Sequence, residues 1–285
     1  GRLEEAQKCF HLLRSNAPHV LEKYESKVFL CQRGANYVEL AALELAHLYE
    51  RHSRCDWGGY SHFKERFAES IEMHSSALVD PSFGFRALAL GLSPSLLKKL
   101  AEGIACHFSK PFLPEKRAIQ SGKLRVGYIS ADFRIHPMGF LLQGLFERHD
   151  RDQFAVYAYS TFPAEGDTVR QKICAGVDKF VDLSVLGNEA ASQRIQDDQL
   201  DILIDLSGYT EHARPEILAC RPATMQLAWL GYLAPTSPRW IDYVILDSVV
   251  APVGADMHWG EKILRLPHSL FYCSYAESLV VESTR

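Results

Sequence analysis

The pattern of apolar positions changes once along this chain, near residue 120. Before that point, apolar residues recur at helical spacing. After it, short apolar runs alternate with amphipathic segments of about ten residues, which predicts strands alternating with helices. In the first region, Ala6, Phe10 and Leu13 share one helical face and Pro18 closes the run. Leu40 to Tyr49 and Tyr60 to Leu78 read as further amphipathic helices. Between them, Arg54-Cys-Asp-Trp57-Gly-Gly-Tyr60 reads as a turn, with Trp57 plugging a packed corner. Phe108 to Gly122, rich in proline and charge, reads as a linker.

In the second region the predicted strands are Leu124–Ser130, Phe154–Ser160, Ile202–Leu206, Met225–Leu230, Tyr243–Leu246 and Ile263–Leu266. Helical patterns at Met138–Phe146, Thr168–Ala175, Glu189–Asp197 and Pro215–Ala219 lie between the earlier strands. Apolar strands in this order predict an α/β fold: a parallel sheet covered on both faces.

Composition narrows the classes. At 285 residues, 47% hydrophobic and 23% charged, this is an ordinary globular chain. A formal charge of -4 gives no reason to expect nucleic acid as a partner. No apolar run is long enough for a membrane span, and no signal peptide is visible. Seven scattered cysteines without a CxxC pair argue against a disulfide framework and a zinc site, and point to a reducing compartment. The chain opens at Gly1 inside a helical pattern, without an initiator methionine, and reads as a fragment.

The candidate chemistry lies in the turns that follow the strands, where ligands of open parallel sheets bind. After the first strand come Asp132, His136, Pro137, Met138 and Gly139. Proline suits the first helical position, a helix amino end favours anionic groups, and histidine exchanges a proton near neutral pH. That combination fits a phosphate-bearing or oxyanion-forming ligand; the alternative is a histidine that merely caps a turn. After the Ile202–Leu206 strand, Gly208, Tyr209 and Thr210 offer close backbone approach and a hydroxyl. Leu230, Gly231 and Tyr232 form a third such turn, before a loop with two prolines. There is no GxGxxG after the first strand, no P-loop and no GxSxG elbow. His258, His268 and the Asp197-Asp198 pair read as surface or structural.

These turns, in this order, resemble the catalytic region of the O-GlcNAc transferase family of protein glycosyltransferases. The resemblance is carried by Arg125-Val-Gly-Tyr-Ile-Ser-Ala-Asp-Phe133 with His136-Pro137, and by Asp201-Ile-Leu-Ile-Asp-Leu-Ser-Gly-Tyr-Thr210. It continues through Arg221-Pro222-Ala223, Gln226, Trp229-Leu-Gly-Tyr232, Ile241-Asp-Tyr243, Glu261-Lys262 and Leu266-Pro267-His268. Cys55-Asp56-Trp57 and Gly84-Phe85-Arg86 extend it toward the amino end. The resemblance implies the first Rossmann-like half of a GT-B glycosyltransferase, within residues 121–285. A helical transitional region at 21–115 would precede it, and a partial tetratricopeptide repeat at 1–20. It implies metal-independent, inverting transfer of GlcNAc from UDP-GlcNAc to Ser or Thr hydroxyls of proteins, with no cofactor.

In the family a histidine in the position of His136 is a candidate base, so His136 is the expected catalytic residue. Asp132, Pro137, Met138, Gly208, Tyr209, Thr210, Leu230, Gly231 and Tyr232 are the expected donor-binding residues. The expected partners are protein acceptors and a nucleotide sugar, with no nucleic acid or membrane, and self-association through repeats. The expected location is cytoplasmic or nuclear. The plant SPINDLY branch, which transfers fucose, lacks the His-Pro pair and has histidine where Tyr209 stands, which favours the GlcNAc branch. In the family the loop after Leu-Gly-Tyr usually reads Pro-Gly-Thr-x-Gly. Here Leu233-Ala-Pro-Thr-Ser237 keeps the length without either glycine, which predicts an altered loop. The second Rossmann half, which holds most nucleotide contacts in the family, is expected beyond Arg285. The chain alone is therefore expected to bind UDP weakly and to be inactive. The rival reading from another class is a repeat-containing scaffold with a degenerate transferase domain, and a nucleotide-dependent oxidoreductase is a distant third.

Overall fold

The computed structural model describes residue 15, residue 51, and residues 54–78, 81–108 and 122–275. The predicted repeat at 1–20, the predicted helix at 40–49 and most of the predicted linker lie outside the described residues. The chain divides into two compact units, residues 1–107 and 108–285.

In the first unit, α1 (Tyr60–His74) buries Phe63, Phe67 and Ile71, which fall on one stripe at four-residue spacing. Helix α2 (Ser82–Ala89) contributes Phe83, whose ring lies 6.1 Å from that of Phe67. Helix α3 (Pro94–Phe108) buries Leu97, Leu100, Ala101 and Ile104 at the same periodicity. The helix predicted to run to Leu78 stops at His74, and a 3-10 turn covers Ser75–Ala77. Adjacent serines, which compete for backbone hydrogen bonds, favour that change. Trp57 corrects an expectation: it is 60% exposed, with its ring 6.0 Å from that of Tyr60 in an edge contact, so it plugs no corner.

The second unit is built on one seven-stranded sheet, every pair parallel, in the order β3-β2-β1-β4-β5-β6-β7. The strands are β1 (Leu124–Ser130), β2 (Phe154–Ser160), β3 (Lys179–Asp182), β4 (Ile202–Asp205), β5 (Met225–Trp229), β6 (Tyr243–Leu246) and β7 (Lys262–Arg265). Between them run α4 (Pro137–Leu142), α5 (Thr168–Gly176), α6 (Asn188–Asp197) and α7 (Pro215–Ala219). The chain moves outward from β1 to β3, then returns to place β4 on the other side of β1. Strand order therefore reverses between β1 and β4, the place where open α/β sheets bind ligands.

Two departures from the sequence pattern have local causes. Strand β3 carries charged residues at both ends, is four residues long and lies at the sheet edge, so no apolar run announces it. Helix α4 ends at Leu142 rather than Phe146 because Ser274 takes over its last carbonyls. Its hydroxyl lies 2.9 Å from the Phe140 oxygen and 2.8 Å from that of Leu141.

Candidate functional site

Three turns meet at the carboxyl edge of β1, β4 and β5. After β1, the Ser130 hydroxyl accepts the Asp132 N–H at 2.9 Å and bends the chain out of the strand. The Ala131 N–H donates to Ser207 Oγ at 3.4 Å, which joins the β1 turn to the β4 turn. Asp167, the N-cap of α5, accepts the Ile135 N–H at 2.6 Å and ties the same turn to the β2 side.

His136 is the N-cap residue of α4, with Pro137 in the first helical position as the sequence predicted. The ring nitrogen Nδ1 accepts the Met138 N–H at 3.2 Å. It also lies 3.6 Å from Asp132 Oδ2, too far for a hydrogen bond. A nitrogen that accepts cannot carry a proton, so the neutral ring is protonated on Nε2. The His136 side chain is 34% exposed while that of Asp132 is 7% exposed. The second Asp132 oxygen lies 3.2 Å from the Arg134 guanidinium, which in turn sits over the Phe162 ring, 4.7 Å from its centre. The His212 ring packs 4.6 Å from that same phenyl ring. An unbroken contact path thus runs from the β4 turn, across the β2 turn, to His136. Arg134, Phe162 and His212 were invisible to spacing arguments, because three separate turns supply them. Helix α4 has only six residues, so its amino end adds less to anion binding than the sequence pattern implied.

The β4 turn is held from inside. Asp205 accepts the N–H groups of Ser207 and Gly208 at 2.9 and 3.0 Å. Burial raises its carboxyl to about 6, against the pull of those two bonds. Gly208 has φ +56°, and an added Cβ would lie 2.5 Å from Cβ of Tyr232, so only glycine fits. Tyr209 is buried and donates its hydroxyl to the Thr236 carbonyl at 3.0 Å. Burial first, then Tyr232 and Glu261 nearby, pushes that phenol well above its usual range and keeps it a donor. The Thr210 hydroxyl donates to the Ser207 carbonyl at 2.9 Å and remains partly exposed.

The β5 turn closes the group. Leu230 adopts φ +71°, unusual for a leucine, and is buried. Gly231 leaves room for the Leu206 carbonyl, which an added Cβ would meet at 2.0 Å; the same Cβ would lie 3.5 Å from the Met138 methyl. The structure thus brings the predicted residues of all three turns together. It separates their roles, however. Tyr209, Leu230 and Tyr232 are buried and shape the loops, whereas His136, Pro137, Met138 and Thr210 reach the surface.

The loop that lacks the family's glycines contains no residue with positive φ from Gly231 to Arg239. Its path is one that ordinary residues adopt, so the missing glycines leave no strain here. Asp198 of the Asp197-Asp198 pair is structural, as expected: it holds Tyr159, Lys179 and Arg194. One guanidinium nitrogen of Arg221 donates to both Asp242 oxygens at 2.9 and 2.8 Å, and Gln226 bonds the Leu218 and Trp240 carbonyls. Both therefore brace β5 and β6 rather than face the site. Among the described residues, no group of three His, Cys, Asp or Glu side chains is placed to hold a metal ion, and no helix could cross a membrane.

Residues 66–281 match the glycosyl transferase family 41 profile. Over 237 residues the chain is 32% identical to an Arabidopsis thaliana protein named "Probable UDP-N-acetylglucosamine--peptide N-acetylglucosaminyltransferase SEC". That match covers 78% of this chain and 24% of the relative. A Caenorhabditis elegans UDP-N-acetylglucosamine--peptide N-acetylglucosaminyltransferase is 31% identical over 239 residues, covering 79% of this chain and 21% of its own length. The solved structure of a Thermobaculum terrenum O-GlcNAc transferase mutant (K341M) superposes with a TM-score of 0.59 at 25% identity. It covers 95% of this chain and 58% of that one. The chain spans about a quarter of the length of these curated relatives.

Proposed function

This chain belongs to glycosyl transferase family 41, and from that premise we propose that the protein transfers GlcNAc from UDP-GlcNAc to serine or threonine hydroxyls of other proteins. In that reaction the acceptor oxygen bonds to the anomeric carbon of the sugar. The bond from that carbon to the diphosphate breaks with inversion, UDP departs, and the hydroxyl proton is released. The observation that carries the reading is the meeting of three turns around partly exposed His136, at the point where strand order reverses.

His136 acts in this proposal through Nε2–H, a donor that holds a substrate oxygen while the Met138 N–H fixes the ring at Nδ1. Thr210 and the backbone of Gly208 and Gly231 line the same edge. The proposal includes no metal and no resident cofactor, a cytoplasmic or nuclear setting, and self-association through repeats.

The test is a radiolabel transfer assay on the full-length protein, with UDP-GlcNAc, GDP-fucose and a His136→Ala control. Transfer from UDP-GlcNAc that His136→Ala lowers about a hundredfold or more supports the reading. Transfer from GDP-fucose alone moves it to the fucosyl branch, and no transfer from either donor leaves a non-catalytic scaffold.

A further inference from the structure

We propose that Glu261, outside all three turns, is the positioning residue that sets the site loop 233–238. This deepens the functional reading above and rests on it for the loop's role in catalysis. Glu261 lies immediately before the edge strand β7, and it is buried. One carboxylate oxygen accepts both the N–H and the hydroxyl of Thr236, each at 2.8 Å. The other accepts the Gly260 N–H at 3.2 Å. Thr236 is also held from the opposite side, where its carbonyl accepts the Tyr209 hydroxyl. Backbone N–H, side-chain hydroxyl and backbone carbonyl of one loop residue are thus all fixed by buried groups from two other elements.

This arrangement answers how a loop without glycines keeps a defined path. Glycine would supply conformational freedom. Here the backbone stays in ordinary regions, and the two bonds from Thr236 to the Glu261 carboxyl oxygen define the shape. Tyr209 belongs to the β4 turn and Thr236 to the β5 loop, while Glu261 belongs to the approach to β7. A change at Glu261 therefore reaches the site through Thr236 and Tyr209 without touching substrate.

The experiment compares Glu261→Ala and Glu261→Gln with the unaltered protein by amide hydrogen exchange and thermal unfolding, and measures transfer kinetics in the full-length protein. Glutamine keeps an oxygen acceptor for Thr236; alanine keeps none. In Glu261→Ala the Thr236 amide is expected to exchange about tenfold faster or more, while Ile204 in β4 keeps its protection. The kcat is expected to fall at least about tenfold with little change in KM for the donor, and Glu261→Gln to restore most of both. Unchanged exchange at Thr236, or equal acceleration at Ile204, overturns the proposal. So does faster exchange at Thr236 with kcat unaltered. If the unaltered protein transfers no sugar, the functional reading falls, and the exchange at Thr236 still decides whether Glu261 sets the loop.

Discussion

Asp132 and Asp205 stand at the ends of neighbouring parallel strands, both buried, and they hold different things. The Asp205 carboxylate takes its hydrogen bonds from the backbone N–H groups of Ser207 and Gly208. Asp132 contacts two side chains, Arg134 and His136, that are 27% and 34% exposed. The first carboxylate fixes the path of a turn. The second holds the partly exposed Arg134 and lies beside the partly exposed His136. The difference teaches that a strand-end aspartate is informative only with its partners in view: Asp132 lies against side chains that reach the surface, whereas Asp205 is bonded to the backbone of its own turn.

If that contrast holds, substitutions on the β1 side will damage transfer and substitutions on the β4 side will damage stability. The largest effect belongs to His136→Ala. In the proposed reaction, losing a preorganised donor to the substrate lowers kcat about a hundredfold to a thousandfold, equivalent to roughly 3 to 4 kcal/mol. The lost N-cap bond costs only about 1 kcal/mol of stability. Kinetics and urea unfolding on the same sample check both, and a stability loss that accounts for the rate would erase the contrast.

Gly208→Ala reverses the balance. A side chain at φ +56° that also meets Tyr232 should cost roughly 3 kcal/mol in unfolding free energy. A loss below about 1 kcal/mol by urea denaturation would show that the β4 turn yields to a Cβ at this position.

Asp205→Asn yields a smaller effect with a pH signature. The folded-state value of about 6 lies above the usual carboxylate range. This group's favourable contribution is therefore complete below about pH 4 and is lost as pH rises through 6. By linkage the loss is roughly 2 to 3 kcal/mol. Asparagine cannot ionise, but it can accept only one of the two N–H groups, so the variant starts about 1 to 2 kcal/mol less stable in acid. The gap should close between pH 4 and pH 7 and reverse by about pH 7, since the loss in the unaltered protein exceeds the starting deficit of the variant. Parallel stability curves across that range would contradict an enclosed, titrating Asp205.

The same contrast explains what could be read from the sequence. Strands β1, β2 and β6 were predicted to the residue, because each is a near-continuous apolar run bounded by polar turns. The three turns were legible too, since an α/β sheet puts them on one edge whatever their detail. Strand β3 was missed, as its short charged run is silent. The partners of the site residues were also hidden. Nothing in the spacing couples Asp132 to Arg134 over Phe162 from another strand, or Thr236 to Glu261 twenty-five residues on. Trp57 misled because size argues for burial, yet local packing left it exposed.

The finest test concerns which nitrogen of His136 holds the proton. On the β1 side, Nδ1 faces a donor, the Met138 N–H at 3.2 Å, and an acceptor, the Asp132 carboxylate at 3.6 Å. One proton state cannot serve both. With Nδ1 bare, the ring caps α4 and offers Nε2–H to a ligand. With Nδ1 protonated toward Asp132, the Met138 N–H loses its partner, and a bare Nε2 could accept a proton from an acceptor hydroxyl. The two arrangements differ by about one capping bond, roughly 1 kcal/mol. Nitrogen-15 spectra of the neutral ring should place the proton on Nε2, and the Met138 amide should show slowed exchange. A neutral ring protonated on Nδ1, with an unprotected Met138 amide, would turn His136 from a donor into a base oriented by Asp132. The β1 carboxylate would then steer a proton transfer, where the donor form assigns it the positioning of a hydrogen bond.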